Sequence, residues 1–375
     1  MKNILHISNW YPNKWNDIEA IFIKEQFTLF SEVTNSNLLH VEVRNDISTW
    51  FKYEKIKYSE NETGFYIRTK IKSFRILEIL TTFLLFWALR KTNYKKYDLL
   101  HFHISYPLLT YYHWFKKIIK TPIVISEHWS AFHFNFFMPK TTKKLNRIKN
   151  IFKQDIPLIT VSKALLKDIQ EFSGTFDIPS IIIPNVIDLS VYKYKPLEKK
   201  DQKPIFFIVN FWRDIKNPMP MLSAFAELSK NGIEYSLIIG GYGDYLDSMK
   251  SYVKELSIEN HVDFVGKMNK QQIADQLIKS HAYLFSSSYE TFSAVCAQAL
   301  CCGCPLIGPA IPAILEYAGN KEMINLESND KFGWIKAIED FMRNSKSFNR
   351  HQIAMNAQEN LSHQKIQKQY LSFIS

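Results

Sequence analysis

Residues 285–308 decide the fold and read FSSSYETFSAVCAQALCCGCPLIG. The stretch opens at the end of a short apolar segment, 282–285, which predicts a buried β-strand, and it continues into the polar loop SSSYETF. Small residues from about Ser293 to Cys302 then predict a helix, which Gly303 ends before Pro305. A strand, a loop and a helix in this order form one unit of a parallel α/β sheet.

The same alternation of short apolar and longer amphipathic segments extends in both directions along the chain. It predicts two successive parallel sheets. The strands of the first are expected at 4–8, 38–42, 99–103, 123–126, 158–161 and 181–183. Those of the second are expected at 205–209, 235–239, 262–265, 282–285, 306–307 and 323–325. A chain of 375 residues has the length of two domains.

We therefore expect an α/β protein with two Rossmann-like, doubly wound domains, residues 1–190 and 191–361, facing each other across a cleft. A C-terminal helix over 362–375 should pack back on the first domain. The polar, proline-bounded segment 185–204 is predicted to connect the domains. After the strand at 205–209, Asn217 is the predicted N-cap of a helix, with Pro218 at its first position.

Composition excludes several classes of protein. The longest uncharged apolar run, 79–89, is much shorter than the roughly 20 residues that cross a bilayer. The N-terminal sequence has no signal-peptide pattern, so a cytoplasmic protein is expected. The four cysteines lie within nine residues, 296–304, a spacing unlike that of zinc ligands or of long disulfide loops. They are interpreted as small buried residues.

The chain is basic, with a net charge of +11. No acidic residue lies between Glu127 and Asp155, whereas cations recur on what is predicted to be a helix. These cations are Lys140, Lys143, Lys144, Arg147, Lys149 and Lys153. An anionic membrane surface, a solvated face or a nucleic acid could explain them. Because no nucleic-acid-binding module accompanies the cations, the membrane surface ranks first and nucleic acid last.

The opening stretch resembles the signature of the retaining glycosyltransferases of the GT-B fold, known as family 4 or group 1. Ser287, Glu290, Thr291 and Phe292 match its pattern of serine, two residues, glutamate, a small residue or threonine, and phenylalanine. The resemblance implies that Glu290 reaches hydroxyls of the donor sugar, with Thr291 and Phe292 in the donor-binding loop.

Two positions depart from the signature. Its second glutamate, which binds the ribose hydroxyls, is Gln298 here, and Ser293 stands where the family usually has glycine. Glutamine keeps a carbonyl acceptor but loses charge assistance, worth about 1 kcal/mol, so weaker donor binding is expected.

Further matches to the family surround this signature. Lys216, followed by asparagine and proline, matches the lysine that binds the donor diphosphate, whereas the accompanying arginine position holds Phe211. Arg213 is the proposed substitute. Gly241 lies in a glycine turn like the one that the family places beside the nucleotide. Lys267 and Met268 follow the strand whose loop usually holds the base.

In the first domain, His128 within SEHW lies where the family places a histidine that faces the reacting sugar. His103 ends a neighbouring strand. Trp10 and Tyr11 belong to the family's first loop, and together with His103 they are expected to contact the acceptor. The family usually has a glycine near the diphosphate, in the region where this chain has Ala20.

The resemblance implies retaining transfer of a sugar from a UDP- or GDP-linked donor to a glycan or lipid-linked acceptor in cell-surface polysaccharide biosynthesis. No further cofactor is expected, and because no Asp-x-Asp motif is found we expect a metal-independent reaction. Two alternatives remain: a nucleotide-sugar epimerase of similar fold, and a donor-binding subunit with weak or no activity.

Overall fold

The computed structural model describes residues 1–17, 19–196 and 203–375. The chain forms two compact units: unit 1 contains Met1–Val186 and His363–Ser375, and unit 2 contains Ile187–Ser362. Part of the predicted connection, residues 197–202, lies outside the described residues.

Unit 1 is built on an eight-stranded sheet in the order β3-β4-β2-β1-β5-β6-β7-β8. The strands are β1 (Asn3–Ser8), β2 (Asn35–Arg44), β3 (Lys52–Lys57), β4 (Glu62–Arg68), β5 (Leu99–His103), β6 (Ile123–Glu127), β7 (Leu158–Thr160) and β8 (Ser180–Ile182). Its helices are α1 (Ile21–Ser31), α2 (Phe74–Lys91), α3 (Tyr112–Phe115), α4 (Lys143–Lys149) and α5 (Lys163–Ser173). All six predicted strands are present, with ends that differ by up to three residues.

Strands β3 and β4 were not predicted from the sequence, and β3 runs antiparallel to β4 in a sheet that is otherwise parallel. The sequence of β3, KYEKIK, lacks the apolar run of a buried strand. It forms the edge of the sheet, where lysines on a strand are common because they discourage pairing with other chains.

The predicted basic helix is shorter than expected. α4 covers only Lys143–Lys149, with the Thr142 side chain accepting a hydrogen bond from the amide of Leu145. Lys140 and Lys153 lie outside it. Lys144 and Arg147 lie 3.3 and 3.4 Å from the nearly buried carboxylate of Glu78 in α2, so part of the one-sign charge is neutralised within unit 1.

Unit 2 contains a six-stranded parallel sheet in the order β11-β10-β9-β12-β13-β14. The strands are β9 (Ile205–Phe211), β10 (Ser236–Tyr242), β11 (Val262–Gly266), β12 (Ala282–Leu284), β13 (Leu306–Pro309) and β14 (Met323–Leu326). The helices are α6 (Met219–Lys230), α7 (Leu246–Glu255), α8 (Lys270–Lys279), α9 (Ala294–Cys301), α10 (Pro312–Leu315), α11 (Lys331–Asn344) and α12 (Arg350–Asn360).

Asn217 does not cap α6 as predicted. It has φ 40° and ψ 55°, a left-handed conformation that ends the 3₁₀ turn Asp214–Lys216, and Pro218 takes the N-cap position without a side-chain bond. Asparagine tolerates this conformation better than most residues. The prediction failed because asparagine followed by proline is also compatible with a 3₁₀ turn between β9 and α6, which the N-cap pattern does not distinguish.

The four cysteines are buried and unpaired in unit 2. Burial raises the pKa of the Cys304 thiol to about 11, which keeps it protonated at neutral pH. The cysteines therefore behave as small apolar residues of the core, as the sequence suggested.

The last helix, α13 (His363–Ile374), packs in unit 1 through Ile366, Tyr370 and Ile374. The ring of Tyr370 stacks on Phe30 of α1 with centroids 3.7 Å apart, and its hydroxyl lies 2.9 Å from Nδ1 of buried His101. The two parallel sheets and the return of α13 to unit 1 confirm the predicted fold class. Among the described residues, no helix has both the length and the hydropathy that are needed to span a membrane.

The Tyr370 hydroxyl gives a direct test of how α13 is held. Tyr370→Phe keeps the stacked ring but leaves Nδ1 of His101 without a partner in the core. We expect a loss of about 1–3 kcal/mol in unfolding free energy, the cost of an unsatisfied buried polar group. Denaturant unfolding followed by circular dichroism measures it. Ser372→Ala, an exposed change on the same helix, is the control, and equal stability of the two variants would contradict the prediction.

Candidate functional site

In a parallel sheet all strands have their carboxyl ends on the same side. The predicted site residues lie at or near these carboxyl ends, which form the C-terminal edge of each sheet. In unit 2, most of the predicted donor-binding residues lie in the segments that follow β9, β11 and β12. They are Arg213, Lys216, Lys267, Met268, Glu290, Thr291, Phe292 and Ser293, whereas Gly241 lies near the end of β10 itself. In unit 1, Trp10 and Tyr11 follow β1, His103 ends β5 and His128 follows β6.

An ion pair between Lys216 and Glu290 lies at the centre of the unit 2 edge. Nζ of Lys216 is 2.6 Å from Oε1 of Glu290, and both side chains are about four-fifths buried. The hydroxyl of buried Ser287 donates to the same carboxylate oxygen at 2.7 Å. The structure thus brings Lys216 together with Ser287 and Glu290, which lie in a separate segment of the sequence.

The loop after β12 is hydrogen-bonded to the turn that contains Lys216. The Ser286 hydroxyl donates to the carbonyl of Lys216, and the backbone amide of Ser288 donates to the carbonyl of Ile215 at 3.1 Å. These bonds join two loops that follow adjacent strands, β9 and β12. They hold the cation and the carboxylate together without any ligand.

Helix α9 begins beside this ion pair at Ser293, which has φ 60° and ψ 84°. This left-handed conformation favours glycine, so the serine retains the backbone geometry that a glycine would adopt here. The hydroxyl of Tyr317 donates to the carbonyls of Phe292 and Ser293 at 2.6 and 3.1 Å, which fixes the turn. The first amides of a helix have no intrahelical partners and attract anions.

Phe292 and Thr291 contribute differently to this loop. The ring of Phe292 is buried, with its centroid 5.2 Å from that of Tyr317, so it supports the loop from the core side. Thr291 is only partly buried.

Gln298, on the second turn of α9, presents an unusual polar atom. Its Oε1 is buried, and no hydrogen-bond partner reaches it among the described residues. A buried carbonyl oxygen without a donor is costly unless a ligand supplies one. The atom is therefore suited to accept a hydrogen bond from a hydroxyl, the role that the family gives to a glutamate at this position.

The glycines near the end of β10 allow a close approach of the backbone. Strand β10 continues to Tyr242, so Gly241 lies within it rather than after it. Gly241 has φ 108°, and a Cβ there would lie 1.9 Å from the carbonyl oxygen of Asn210. A Cβ at Gly240 would lie 2.6 Å from Sδ of Met268, which brings Met268 next to these glycines.

Arg213 and Lys267 lie on an aromatic pair at the ends of β9 and β10. The rings of Phe211 and Tyr242 are 4.9 Å apart and both are partly exposed. The Arg213 guanidinium lies 4.3 Å from the Phe211 ring centroid, and Nζ of Lys267 lies 5.6 Å from that of Tyr242. Arg213 is exposed, and its described contact is with Phe211, not with the Lys216–Glu290 pair.

His128 in unit 1 is buried and oriented by a neighbour. Its Nδ1 lies 3.0 Å from Oδ1 of Asn185, which can only accept, so the ring proton is on Nδ1. Burial lowers the pKa of His128 to about 4, and the imidazole is therefore neutral at pH 7. Its Nε2 has no partner among the described residues and can accept a hydrogen bond from a hydroxyl.

Glu127, the residue before His128, was missed as a candidate from the sequence. It is fully buried at the end of β6, where Oε1 accepts from the amide of Ser105 at 2.7 Å and Oε2 has no described partner. Burial raises the pKa of Glu127 to about 7. The signal was a carboxylate inside an apolar strand, in TPIVISEHW, where an acidic residue is rarely buried without a function.

The structure buries two of the three side chains that were expected to contact the acceptor. Tyr11 is 1% exposed, and its hydroxyl donates to Glu62 at 2.7 Å, so it is a core residue of unit 1. His103 is also fully buried, with Nε2 2.9 Å from Nδ1 of His6. Trp10 is partly exposed and packs edge-on against Trp129 with ring centroids 5.1 Å apart.

His6, His101 and His103 form a buried cluster whose nitrogens lie within 4.8 Å of one another. Burial lowers the pKa of His6 to about 3, and the pKa values of His101 and His103 are also well below their usual value. Neutral imidazoles can ligate a metal ion. In this cluster, however, five of the six nitrogens already have partners. His6 bonds to His103 and Ser36, and His101 bonds to Ser126 and Tyr370. Only Nδ1 of His103 has no partner among the described residues.

The chain is similar in sequence to several curated enzymes. A curated relative, N-acetyl-alpha-D-glucosaminyl L-malate synthase of Bacillus anthracis, is 28% identical over 46% of this chain and 46% of its own length. Alpha-monoglucosyldiacylglycerol synthase of Streptococcus pneumoniae is 20% identical over 66% of this chain and 57% of its own length. The chain thus matches about half the length of these relatives.

A solved Anabaena structure in complex with UDP and glucose superposes with a TM-score of 0.71 at 14% identity, over 99% of each chain, so the fold is shared. Residues 193–360 match the family described as Glycosyl transferases group 1, and residues 55–191 match Glycosyltransferase Family 4. The two matches together span most of the sequence. The chain belongs to the group 1 glycosyltransferases, which have the GT-B fold.

Proposed function

We propose that this protein transfers a sugar from a UDP- or GDP-linked donor to a glycan or lipid-linked acceptor in cell-surface polysaccharide biosynthesis. It would act as a peripheral protein on the inner face of a membrane. The observation that carries the proposal is the Lys216–Glu290 pair beside the first turn of α9. A nucleotide sugar offers a diphosphate to a cation and amides, and sugar hydroxyls to a carboxylate.

The chemistry needs charge separation at the anomeric carbon. As the bond to the donor diphosphate breaks, the sugar becomes cation-like and negative charge grows on the leaving group. Lys216 and the first amides of α9 would stabilise the leaving diphosphate more strongly than the intact donor, which lowers the barrier. Glu290 would orient the sugar through its hydroxyls.

The configuration of the sugar would be retained, with the acceptor attacking from the face that the diphosphate leaves. We propose that fixed cations, Lys216 and with it Arg213, serve in place of a metal ion. For Arg213 this requires a move from the Phe211 ring, where it now lies.

The nucleoside would lie along the edges of β10 and β11. The oxygen of Gln298 would accept from a ribose hydroxyl, and the loop of Lys267 and Met268 beside the glycines of β10 would contact the base. The Anabaena neighbour, solved with UDP and glucose, supports a nucleotide-sugar donor.

On unit 1, we assign the sugar or acceptor hydroxyls to Nε2 of His128. A neutral imidazole that accepts a hydrogen bond does not repel a cation-like sugar, as a protonated one would. The relative whose name includes monoglucosyldiacylglycerol supports a lipid-linked acceptor, whereas the relative named as an L-malate synthase keeps a small acceptor as the competing outcome.

A donor-binding subunit without turnover is the second candidate, because Phe211, Ser293, Gln298 and Ala20 depart from the family pattern. One observation argues against it. Ala20, at φ 46°, and Ser293, at φ 60°, both keep left-handed backbone despite having a side chain. Such strain costs about 1–2 kcal/mol per residue and persists where the geometry is needed.

The other alternative, an epimerase of similar fold, would differ by acting on the free nucleotide sugar without an acceptor.

Replacing either member of the central ion pair should strongly reduce the rate of transfer. Lys216→Met removes the diphosphate cation, and Glu290→Gln removes the charged sugar contact. We expect kcat/KM to fall by about 10² or more in each variant, as for other lost transition-state contacts.

The donor must be identified before these kinetics are measured. A thermal-shift screen of UDP-, GDP- and ADP-sugars identifies it, since a bound ligand stabilises the fold.

The matched control for these variants is Lys331→Met, which breaks the Lys331–Glu227 pair of unit 2, 3.4 Å apart. It should leave donor binding unchanged. If no nucleotide sugar shifts the melting temperature, or if Lys216→Met binds and turns over the donor like the native protein, the proposed function is wrong.

Gln298→Glu should restore charge assistance to the ribose contact. We expect donor affinity to rise about fivefold, since a charged acceptor adds about 1 kcal/mol to a hydrogen bond. Isothermal titration with the donor measures it, and Gln352→Glu, an exposed change on α12, serves as control. Unchanged affinity would mean that position 298 does not contact the nucleotide.

The raised pKa of Glu127 predicts a pH-dependent stability. The folded-state pKa, about 7, exceeds the ordinary value of 4.5. The folded state therefore binds a proton more tightly, and the contribution of Glu127 to stability falls as pH rises from 4.5 to 7. Glu127→Gln has no proton to lose and still accepts from Ser105.

The stability of Glu127→Gln relative to the native protein should therefore increase by about 1–3 kcal/mol across this window and level off above pH 7. Unfolding measured at a series of pH values from about 4 to 8 tests it. Other titrating groups, including Glu42, are common to both proteins and cancel in the difference. A difference that does not change with pH would contradict the prediction.

A further inference from the structure

Unit 1 exposes a group of large apolar side chains, here called the aromatic face. Its members come from the segment before β3, from β3 itself and from the outer side of α2. They are Trp50, Phe51, Tyr53, Ile76, Phe83 and Trp87. Trp50 and Phe83 are each 64% exposed. Large apolar residues grouped in this way on a protein surface indicate a binding site rather than ordinary surface composition.

Helix α2 is apolar on both sides. Its inner side packs in unit 1 through buried residues such as Leu84, Leu85 and Leu89. Ile76, Phe83 and Trp87 follow one another at intervals of seven and four residues, so they form one stripe along the outer side. A helix that is apolar all round is normally buried all round, yet this stripe is exposed. It therefore suits a second apolar environment.

Contacts hold the aromatic face in place. The ring of Tyr53 meets that of Trp87 edge-on with centroids 5.2 Å apart, which joins β3 to α2. The Thr69 hydroxyl donates to the carbonyl of Trp50 at 2.6 Å, and Nζ of Lys70 lies 3.8 Å from the centroid of a Trp50 ring. The aromatic side chains are thus presented by a structured surface.

The segments that form the aromatic face are also rich in exposed cations. The segments 50–57, 70–76 and 87–91 contain one acidic residue, Glu54, which pairs with Lys14, Lys52 and Arg68. The same segments contain eight exposed cations. These are Lys52, Lys55, Lys57, Lys70, Lys72, Arg75, Arg90 and Lys91. Two of these cations lie directly against aromatic rings of the face, Lys70 at Trp50 and Lys91 at Trp87, with Nζ 3.8 and 5.7 Å from the ring centroids.

We propose that the aromatic face docks into the headgroup region of an anionic phospholipid bilayer. Tryptophan and tyrosine favour this depth because one part of each ring system is apolar and another is polar. Lysines and arginines of the same segments would meet lipid phosphates. A protein partner fits less well, because lysine is depleted at protein interfaces. The helix would lie in the interface, since no described helix can span a membrane.

This surface differs from the basic helix that the sequence suggested. In α4, Lys144 and Arg147 already face the carboxylate of Glu78. Nζ of Lys144 also lies 5.2 Å from the ring of Phe74, the first residue of α2. Helix α4 therefore lies beside the N-terminal end of α2 and adds positive charge there. The apolar contact with the membrane would come from the aromatic face.

Sedimentation with vesicles tests the proposal. The probes are phosphatidylcholine vesicles with and without phosphatidylglycerol, at low and high salt. The native protein should bind the anionic vesicles. Phe83→Gln combined with Trp87→Gln should weaken binding about tenfold or more at low salt. Lys70→Gln with Lys91→Gln should weaken it about fivefold for each charge at low salt and have little effect at high salt.

Matched controls on unit 2 separate these effects from general changes. Phe332→Gln removes an exposed aromatic residue of α11, and Lys250→Gln removes an exposed cation of α7. Both should bind vesicles like the native protein. No binding to anionic vesicles would overturn the proposal, and so would equal binding by the Phe83/Trp87 variant.

Two further readouts keep the outcome clear. If light scattering shows self-association that the Phe83/Trp87 substitutions abolish, while vesicles bind neither protein, the face is an interface between copies and the proposal fails. The thermal shift with the nucleotide-sugar donor is measured on the same variants. It should not change, so failure of membrane docking is distinguishable from failure of the proposed function.

Discussion

The contact between Lys216 and Glu290 is the interaction on which the candidate site depends. It joins two loops that are 74 residues apart in sequence. The hydroxyl of Ser287 donates to the Glu290 carboxylate, and that of Ser286 donates to the backbone carbonyl of Lys216. The strands before these loops, β9 and β12, are neighbours in the sheet. The cation and the carboxylate are therefore held together before any ligand arrives. If they bind the donor as proposed, this pre-formed arrangement reduces the entropy lost on binding.

The departures from the family pattern acquire a physical meaning in this setting. Ser293 and Ala20 have side chains, but their backbone stays in the left-handed region that glycine usually provides. Gln298 lacks the charge of glutamate, but its oxygen stays buried and without a partner. At these three positions the chemistry of the residue has changed, whereas the backbone geometry or the open acceptor has been kept.

Unit 1 combines a polar edge with an apolar outer face. At the ends of β5 and β6, burial keeps His103 and His128 neutral and gives Glu127 a pKa near neutrality. On its outer surface, α2 and β3 expose tryptophan, tyrosine and phenylalanine among lysines and arginines. A lipid-linked acceptor requires both features, since its lipid would lie in a membrane while its sugar reaches polar side chains.

The sequence by itself determined the two parallel sheets, the position of twelve strands and the Ser287–Glu290 signature, because apolar periodicity and local spacing are properties of neighbouring residues. It also indicated Lys216. Only the tertiary structure revealed β3 and β4 at the edge of the unit 1 sheet, the burial of Tyr11 and His103, and the place of Arg213 on Phe211. Each of these depends on which distant segments pack together. Burial and partners, which set the pKa of a side chain and its availability to a ligand, arise from such packing and leave no local pattern.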